Sequence, residues 1–498
     1  MRARLARLFA SDRTFYAILS LFTLGVVWVA LTSLYPMAFD EEFHYGLIQI
    51  YATGWLPYGI EHTSDMAQYG AATADASYLF HYLMSFPYRL LDGAGLPDTA
   101  IIIVLRMLNV GFVVGALWLL RSAFLKAGVS AAITTVGLAM FMLVPVFSML
   151  AAQINYDNLL LLIVAWCLYL IVLMTNAIRR DGKLPAKELT LLIVAVLVGM
   201  SIKYAFLPIA AALFGWIIVL VLAASRHHRV AVGTQLRGLW KQLTAMRRLA
   251  KVGLTVLMIT GLFFASHYVA NLVTYGHPIP SCERVFTEQE CTAYGPWNRN
   301  RNYAAERSES FVPLSYPEYM VSEWFPGMAQ RLTFAVAGKT NGFQTKAPLP
   351  ALVYGFVSLS IIGTICLVIA IVRRRVSWLT WFSLLVTFSY VGILSVQLYG
   401  DYMATAQPVA INGRYLLPLL PLLSIVMIQA IRTTAARIKP GDLALVTVVI
   451  FALLLISGGG TLTYLVLSES HWYWSGVGQD IHAALKAVLS NLVLPFRY

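Results

Sequence analysis

Three carboxylates and an imidazole sit almost side by side in Asp40-Glu41-Glu42-Phe43-His44, just past the first apolar run of the chain. Ionisable groups at a bilayer boundary are costly unless they are solvated or used. If 40–50 is helical, Glu41 and His44 are three apart and Asp40 and His44 are four apart, so they share a face. Such a set suits two chemistries. Asp40, Glu41 and His44 could hold a divalent cation, Mg or Mn. Alternatively Asp40 or Glu41 could act as a general base that takes the proton of an attacking hydroxyl. An ordinary solvated helix boundary would use the same residue types.

Three cations recur at the depth of this cluster, each near one end of an apolar run: Arg106, Lys203 and Arg414. Arg106 has Asn109 one turn on. Lys203 stands in Ser201-Ile202-Lys203-Tyr204, and Arg414 in Asn412-Gly413-Arg414-Tyr415. Together they could hold a phosphate whose lipid tail lies in the membrane, Arg through paired hydrogen bonds and Lys as a point charge. Snorkelling to headgroups explains any one of them, and three less well. Gln153-Ile154-Asn155-Tyr156-Asp157-Asn158 reads as a polar turn between two apolar runs. Asn155 and Asp157 either cap the next helix or bind a sugar hydroxyl.

The first cluster belongs to a long loop, 35–100, that also carries Glu61, His62, Asp65, Asp75 and Tyr78-Leu79-Phe80-His81-Tyr82. Its scattered polar groups read as surface residues, and its aromatics as sugar-stacking or interfacial side chains. A second long loop, 274–348, contains Cys282 and Cys291, which can close a small disulfide loop on an oxidising side. Cys167 and Cys366 fall inside apolar runs and read as packing residues. Glu318, Glu323 and Asp401 are secondary acid–base candidates. The tail, 468–498, holds His471, Trp472, Trp474, Asp480 and His482 without a catalytic signature, and 479–493 suits a short amphipathic helix.

A membrane bundle must position these residues. The chain has 498 residues, 59% hydrophobic and 12% charged, with a mean hydropathy of +0.72. Soluble chains carry about 25% charge. Apolar runs fall at 14–34, 101–119, 128–150, 159–177, 188–206, 209–224, 252–273, 349–372, 377–397, from Arg414 to Arg432, and at 441–467. That predicts an all-α polytopic protein of about eleven spans. Basic residues gather in the connectors, at Arg121 and Lys126, at Arg179 to Lys187, through 225–251 and at Arg373-Arg374-Arg375. This is the positive-inside pattern. It places the N-terminus in the cytoplasm, and both long loops and the tail outside. The 225–251 stretch, with Arg229 and Arg247, suits an amphipathic helix on anionic lipid.

The net charge of +13 therefore belongs to connectors and does not mark a nucleic-acid-binding domain. No Cys and His cluster has the spacing of a structural zinc site. Met1-Arg2-Ala3-Arg4-Leu5-Ala6-Arg7 reads as the flank of a retained first helix rather than a cleaved signal. The domain reading is one module, 1–467, followed by the tail. No internal repeat is evident, which argues against a secondary transporter built from inverted halves.

Several of these stretches resemble the integral-membrane glycosyltransferases of the GT-C superfamily, and within it the bacterial DUF2142-type membrane proteins. They are Asp40-Glu41 with His44, Gly54 and Pro57; Asn155-Tyr156-Asp157-Asn158-Leu159; Lys203-Tyr204 before Pro208; and Asn412-Gly413-Arg414-Tyr415-Leu416-Leu417-Pro418. The resemblance implies a GT-C-like bundle with short helices in the two outer loops. It also implies an inverting transferase in the bacterial cytoplasmic membrane that uses a polyprenyl-phosphate sugar donor. The acceptor would be an envelope glycan, glycolipid or protein. Asp40 inherits the base or metal role best, Glu41 second. Arg106, Lys203 and Arg414, with Tyr415, would contact the donor phosphate, and Asn155 and Asp157 match a further substrate-side motif of the family. The rival readings are a transporter or flippase for a lipid-linked glycan, and a non-catalytic envelope scaffold.

Overall fold

The computed structural model describes residues 2–37, 40–57, 62–227, 232–244, 248–333, 335–339, 343–346, 350–435, 440–469 and 472–490. Phe39, Glu61, Arg229, Arg247 and His471 lie outside them. Long apolar runs become helices because a backbone in hydrocarbon must satisfy its own hydrogen bonds.

Helix α1 (Asp12–Thr32) starts at Ser11, whose hydroxyl accepts from the Arg13 N–H. It feeds the first loop, where α2 (Glu41–Ala52), a 3-10 segment (Ser64–Thr73) and α3 (Leu79–Gly93) follow. Next come α4 (Asp98–Lys126), α5 (Ala131–Met142), α6 (Pro145–Ala151), α7 (Tyr156–Asp181), α8 (Ala186–Ile202), α9 (Leu207–His227) and α10 (Arg248–Tyr275). A helix, Val232–Thr244, forms within the basic stretch between α9 and α10. The second loop contains several short helices, among them α11 (Gly295–Ala305) and α12 (Phe325–Leu332). It also contains a two-stranded antiparallel hairpin, β1 (Ala335–Lys339) with β2 (Phe343–Lys346). The chain ends through α13 (Pro350–Val372), α14 (Trp378–Thr405), α15 (Leu420–Thr434), α16 (Pro440–Ile456) and α17 (Val477–Leu489).

Among the described residues, seven helices are long and apolar enough to cross a membrane: α1, α4, α7, α9, α10, α13 and α14. The bent pair α5 and α6 would make an eighth. The runs expected at 188–206, after Arg414 and at 441–467 form shorter helices of 17, 15 and 17 residues. The run expected at 128–150 is bent by 79° between α5 and α6. Pro145 opens α6, and Val144 before it is extended, since a residue preceding proline is kept out of the helical region. The run at 441–467 stops at Ile456, where Gly458 and Gly460 take positive φ of 93° and 63°. Arg121 and Lys126, expected in a connector, are instead the last turns of α4. Arg121 is buried and pairs with Asp12.

Helices α4 and α7 form the centre: 78% of the apolar window of α7 is buried, against 6% for α10 at the periphery. The outer helices leave large apolar side chains exposed, such as Leu21 and Leu24 on α1, Leu262 and Val273 on α10 and Phe388 on α14. An apolar belt of this extent is untenable in water and suits a lipid surround.

Candidate active site

The site is built where α1 ends, α2 begins, and the turns before α7, α9 and α15 meet. Asp40 is the N-cap residue of α2 and adopts a left-handed backbone, with φ of 71°. Such a conformation is strained for a residue with a side chain and persists only where its surroundings fix it. Two contacts do so. The Asp40 carbonyl accepts from the His44 N–H at 2.9 Å, and its Oδ2 accepts from Arg414 Nη2 at 2.6 Å. The Asp40 side chain is 52% exposed while that of Arg414 is 8% exposed, so the carboxylate stands at the mouth and the guanidinium behind it.

Arg414 is held in place by a close backbone approach. The Asn412 side chain accepts from the Arg414 N–H at 3.1 Å and starts a 3-10 turn. Gly413 lies against α12, where a Cβ would fall 2.6 Å from the Met328 carbonyl oxygen. No larger residue fits without moving that backbone.

The second ion pair comes from the other two motifs. Lys203 Nζ donates to Asp157 Oδ1 at 2.8 Å, with both side chains about nine-tenths buried. Lys203 ends α8 in an extended conformation, and Asp157 lies in the first turn of α7. Burial pulls the Lys203 ammonium down, but the Asp157 carboxylate beside it outweighs this and holds its pKa above the ordinary lysine value. Lys203 lies over the Tyr156 ring at 4.3 Å and the Tyr415 ring at 5.2 Å, and Arg414 lies 5.4 Å from that same Tyr415 ring. Tyr415 thus stands between the two cations.

His44 adjoins the cluster with its ring 4.5 Å from that of Tyr156. Its Nδ1 shares a hydrogen bond with His81 Nε2 at 2.9 Å. Burial drives both imidazoles toward the neutral form, His81 to about 3, and His44 feels His81, Arg414 and Lys203 as well. The other ring nitrogen of His44, Oδ2 of Asp157 and the side-chain amide of Gln153 are buried without a partner among the described residues. Unpaired buried polar atoms are costly and rare, and they concentrate where a ligand or water completes them.

The wall over Asp40 comes from both loops. Phe43 packs against Tyr69 and Tyr294 at 5.7 and 6.3 Å between ring centres. Burial, with the nearby charge of Asp40, raises the Tyr294 phenol to about 12. Gly70 has φ of 55°, and a Cβ there would fall 2.5 Å from Tyr294. The Cys282–Cys291 disulfide is present, with Cα atoms 6.0 Å apart. It packs on Ala67 in a cluster bridging the loops, and Ser64 donates to Glu290 at 2.6 Å. Asp75, read from sequence as a surface group, is a partly covered carboxylate whose pKa burial raises, with the Ser77 N–H donating to it at 3.0 Å.

Three expected site residues are committed elsewhere. Glu41 is fully buried and accepts from Arg106 Nε and Nη2 at 2.8 and 2.7 Å. It also accepts from the Met37 and Ile154 N–H groups at 2.7 and 3.1 Å. The two remaining N–H groups on Arg106 Nη1 go to the Ala30 and Ser33 carbonyls, and Nη2 also donates to that of Leu34. All five donors of a guanidinium are then used, so Arg106 has none for a phosphate. Asn155 is fully buried and caps α7, accepting from the Asp157 N–H at 2.9 Å. Glu318 likewise closes a capping box on Ser315. The tail, without a signature of its own, supports the Arg106 carbonyls: Leu34 N–H donates to the Trp472 carbonyl, and Trp474 N–H to that of Thr32, both at 2.8 Å.

Asp40, Glu41 and His44 therefore face three different side chains, Arg414, Arg106 and His81. Among the described residues no group of three or more His, Cys, Asp or Glu side chains is placed to hold a metal ion.

No protein-family model and no curated protein matches the chain. Among solved structures, the chain is similar to the crystal structure of ArnT from Cupriavidus metallidurans bound to undecaprenyl phosphate. The identity is 15% and the TM-score 0.42, over 97% of this chain and 78% of that one.

Proposed function

We propose that the chain is an inverting glycosyltransferase of the GT-C type that moves a sugar from a polyprenyl-phosphate donor to a hydroxyl of an envelope glycan, glycolipid or protein. The reaction takes place on the extracytoplasmic side of the bacterial cytoplasmic membrane, with the N-terminus in the cytoplasm. The carrying observation is that Asp40, Asp157, Lys203 and Arg414, from four distant motifs, form two adjoining ion pairs at one end of the bundle.

Arg414 and Lys203 supply two buried positive charges with Tyr415 between them, suited to a phosphate oxyanion. A donor phosphate at Arg414 competes with Asp40 for the guanidinium and frees the carboxylate at the mouth. Asp40 then takes the proton of the acceptor hydroxyl as its oxygen attacks the anomeric carbon. The new glycosidic bond forms as the sugar–phosphate bond breaks, with inversion. Polyprenyl phosphate leaves with the bonding electrons, its charge balanced by Arg414 and Lys203. Of the three residues expected to hold Mg or Mn, Asp40 is half-exposed while Glu41 and His44 are buried. No step is assigned to an ion.

The test is transfer of label from a polyprenyl-phosphate sugar by the purified full-length chain. Asp40→Asn should fold normally and lose about a hundredfold or more of turnover. Turnover near that of the unaltered chain would remove Asp40 from the base role.

A further inference from the structure

At the other end of the bundle, a cavity of about 360 Å³ opens between the α4–α5 turn, the α13–α14 connector and the last turns of α15. Arg106 and Lys126 are both on α4, twenty residues apart, which puts this end about 30 Å from the reaction centre. The described residues lining the cavity include two arginines, Arg375 and Arg432, and several hydroxyls, and no carboxylate. We propose that this cavity binds the phosphate of an anionic glycerophospholipid headgroup.

Four features support that ligand chemistry. First, Arg375 is brought to the cavity by a strained turn. Arg374 takes a left-handed φ of 52°, and the Arg375 N–H donates to the Ala370 carbonyl at 2.8 Å. Second, Arg432 makes one side-chain hydrogen bond among the described residues, to Ser130 Oγ at 3.1 Å, out of the five donors of its fork. Third, two helices start here. Ser130 is the N-cap of α5 and Ser377 that of α14, and the Ser377 side chain does not cap its own helix. The positive ends of two helix dipoles thus converge with two guanidiniums. Fourth, the side-chain oxygen of Gln429 is buried at the cavity without a partner among the described residues. A bare phosphate diester cannot donate to it, whereas a headgroup hydroxyl can.

Phosphate on a lipid and phosphate in solution share this chemistry, and the experiment separates them. Full-length protein in detergent is titrated with dioleoyl phosphatidylglycerol, with dioleoyl phosphatidylcholine and with sodium phosphate, reading the thermal midpoint. Phosphatidylglycerol should raise the midpoint and phosphatidylcholine should not. The double variant R375Q/R432Q should weaken the phosphatidylglycerol effect about tenfold or more. The neighbouring R373Q/R374Q pair, which removes equal charge outside the cavity lining, should leave it intact. An equal rise with sodium phosphate supports the anion cavity and assigns its ligand to the water phase. Equal losses in both double variants, or no response to phosphatidylglycerol or phosphate, would overturn the site. The readout is binding, so it stands apart from the transferase reading.

Discussion

Glu41 and Arg106 join through two hydrogen bonds of 2.8 and 2.7 Å with neither side chain exposed, although Glu41 directly follows the half-exposed Asp40. Two adjacent carboxylates thus have opposite environments. One faces the mouth of the site, and the other ties α2, the end of α1 and the turn before α7 to α4.

That division predicts opposite phenotypes. Removing one member of a buried ion pair costs about 3–5 kcal/mol because the other charge is left unpaired. Glu41→Gln and Arg106→Leu should therefore lower the yield of folded protein and its thermal midpoint. The fraction that folds should keep its turnover to within a few-fold. Asp40→Asn should show the reverse. Denaturation curves beside transfer rates check this, and a stable but inactive Glu41→Gln protein would return Glu41 to the chemistry.

Arg414 and Lys203 should differ in what they contribute to donor binding. A guanidinium grips a phosphate through a planar fork, and an ammonium does not. Arg414→Lys keeps the charge and should still raise the donor KM about tenfold. Lys203→Gln leaves Asp157, nine-tenths buried, without its cation and should raise the donor KM and lower stability together. Initial rates across donor concentrations separate the two, and an unchanged donor KM in both would argue against a phosphate between them.

Much of this site is readable as motifs. Asn155-Tyr156-Asp157, Lys203-Tyr204 and Asn412-Gly413-Arg414-Tyr415 are visible as polar groups interrupting apolar runs, and the folded chain brings them together. The partition of the charges is not readable. Asp40 is the left-handed N-cap and Glu41 the first helical residue of α2, and at this junction one carboxylate goes to the mouth and the next to the interior. Arg106 resembles Lys203 and Arg414 in depth and type, yet it is saturated by carbonyls from the end of α1 that only the folded chain places around it. Tyr294 and Asp75 carry no local signal for the same reason: their proximity to the site depends on how the two loops pack. The α5–α6 bend, by contrast, has a local signal in Pro145.

The disulfide should matter for the site as well as for the loop. Opening a loop of this size releases about 2–3 kcal/mol of closure entropy to the unfolded chain. Tyr294, three residues past Cys291, donates its N–H to the Cys291 carbonyl at 3.0 Å and packs on Phe43 beside the Asp40 mouth. Cys282→Ser with Cys291→Ser should lower the thermal midpoint and raise the acceptor KM, with the donor KM little changed. A reductant should reproduce both effects in the unaltered chain and do nothing further to the double variant. Equal shifts in the two KM values would mean that the loop supports the whole site rather than the acceptor side.

The His44–His81 pair predicts a pH dependence with a definite sign. Burial holds His81 at about 3, far below its ordinary 6.5, and moves His44 the same way. Between those limits the unfolded chain binds more protons than the folded one. The pair's contribution to stability is therefore complete above about 6.5 and is lost as pH falls toward 3. Asp75 works in the opposite sense. Its pKa is raised by burial, so its contribution is complete below its unfolded value of 3.8 and declines as pH rises through the folded one. The two carry opposite slopes on the acid side, and single variants separate them. His81→Gln should flatten the fall in thermal midpoint on acidification below about pH 6.5. Asp75→Asn, which keeps an oxygen for the Ser77 N–H, should steepen it. Superimposable pH profiles for His81→Gln and the unaltered chain would show that the imidazole pair is not held neutral by its burial.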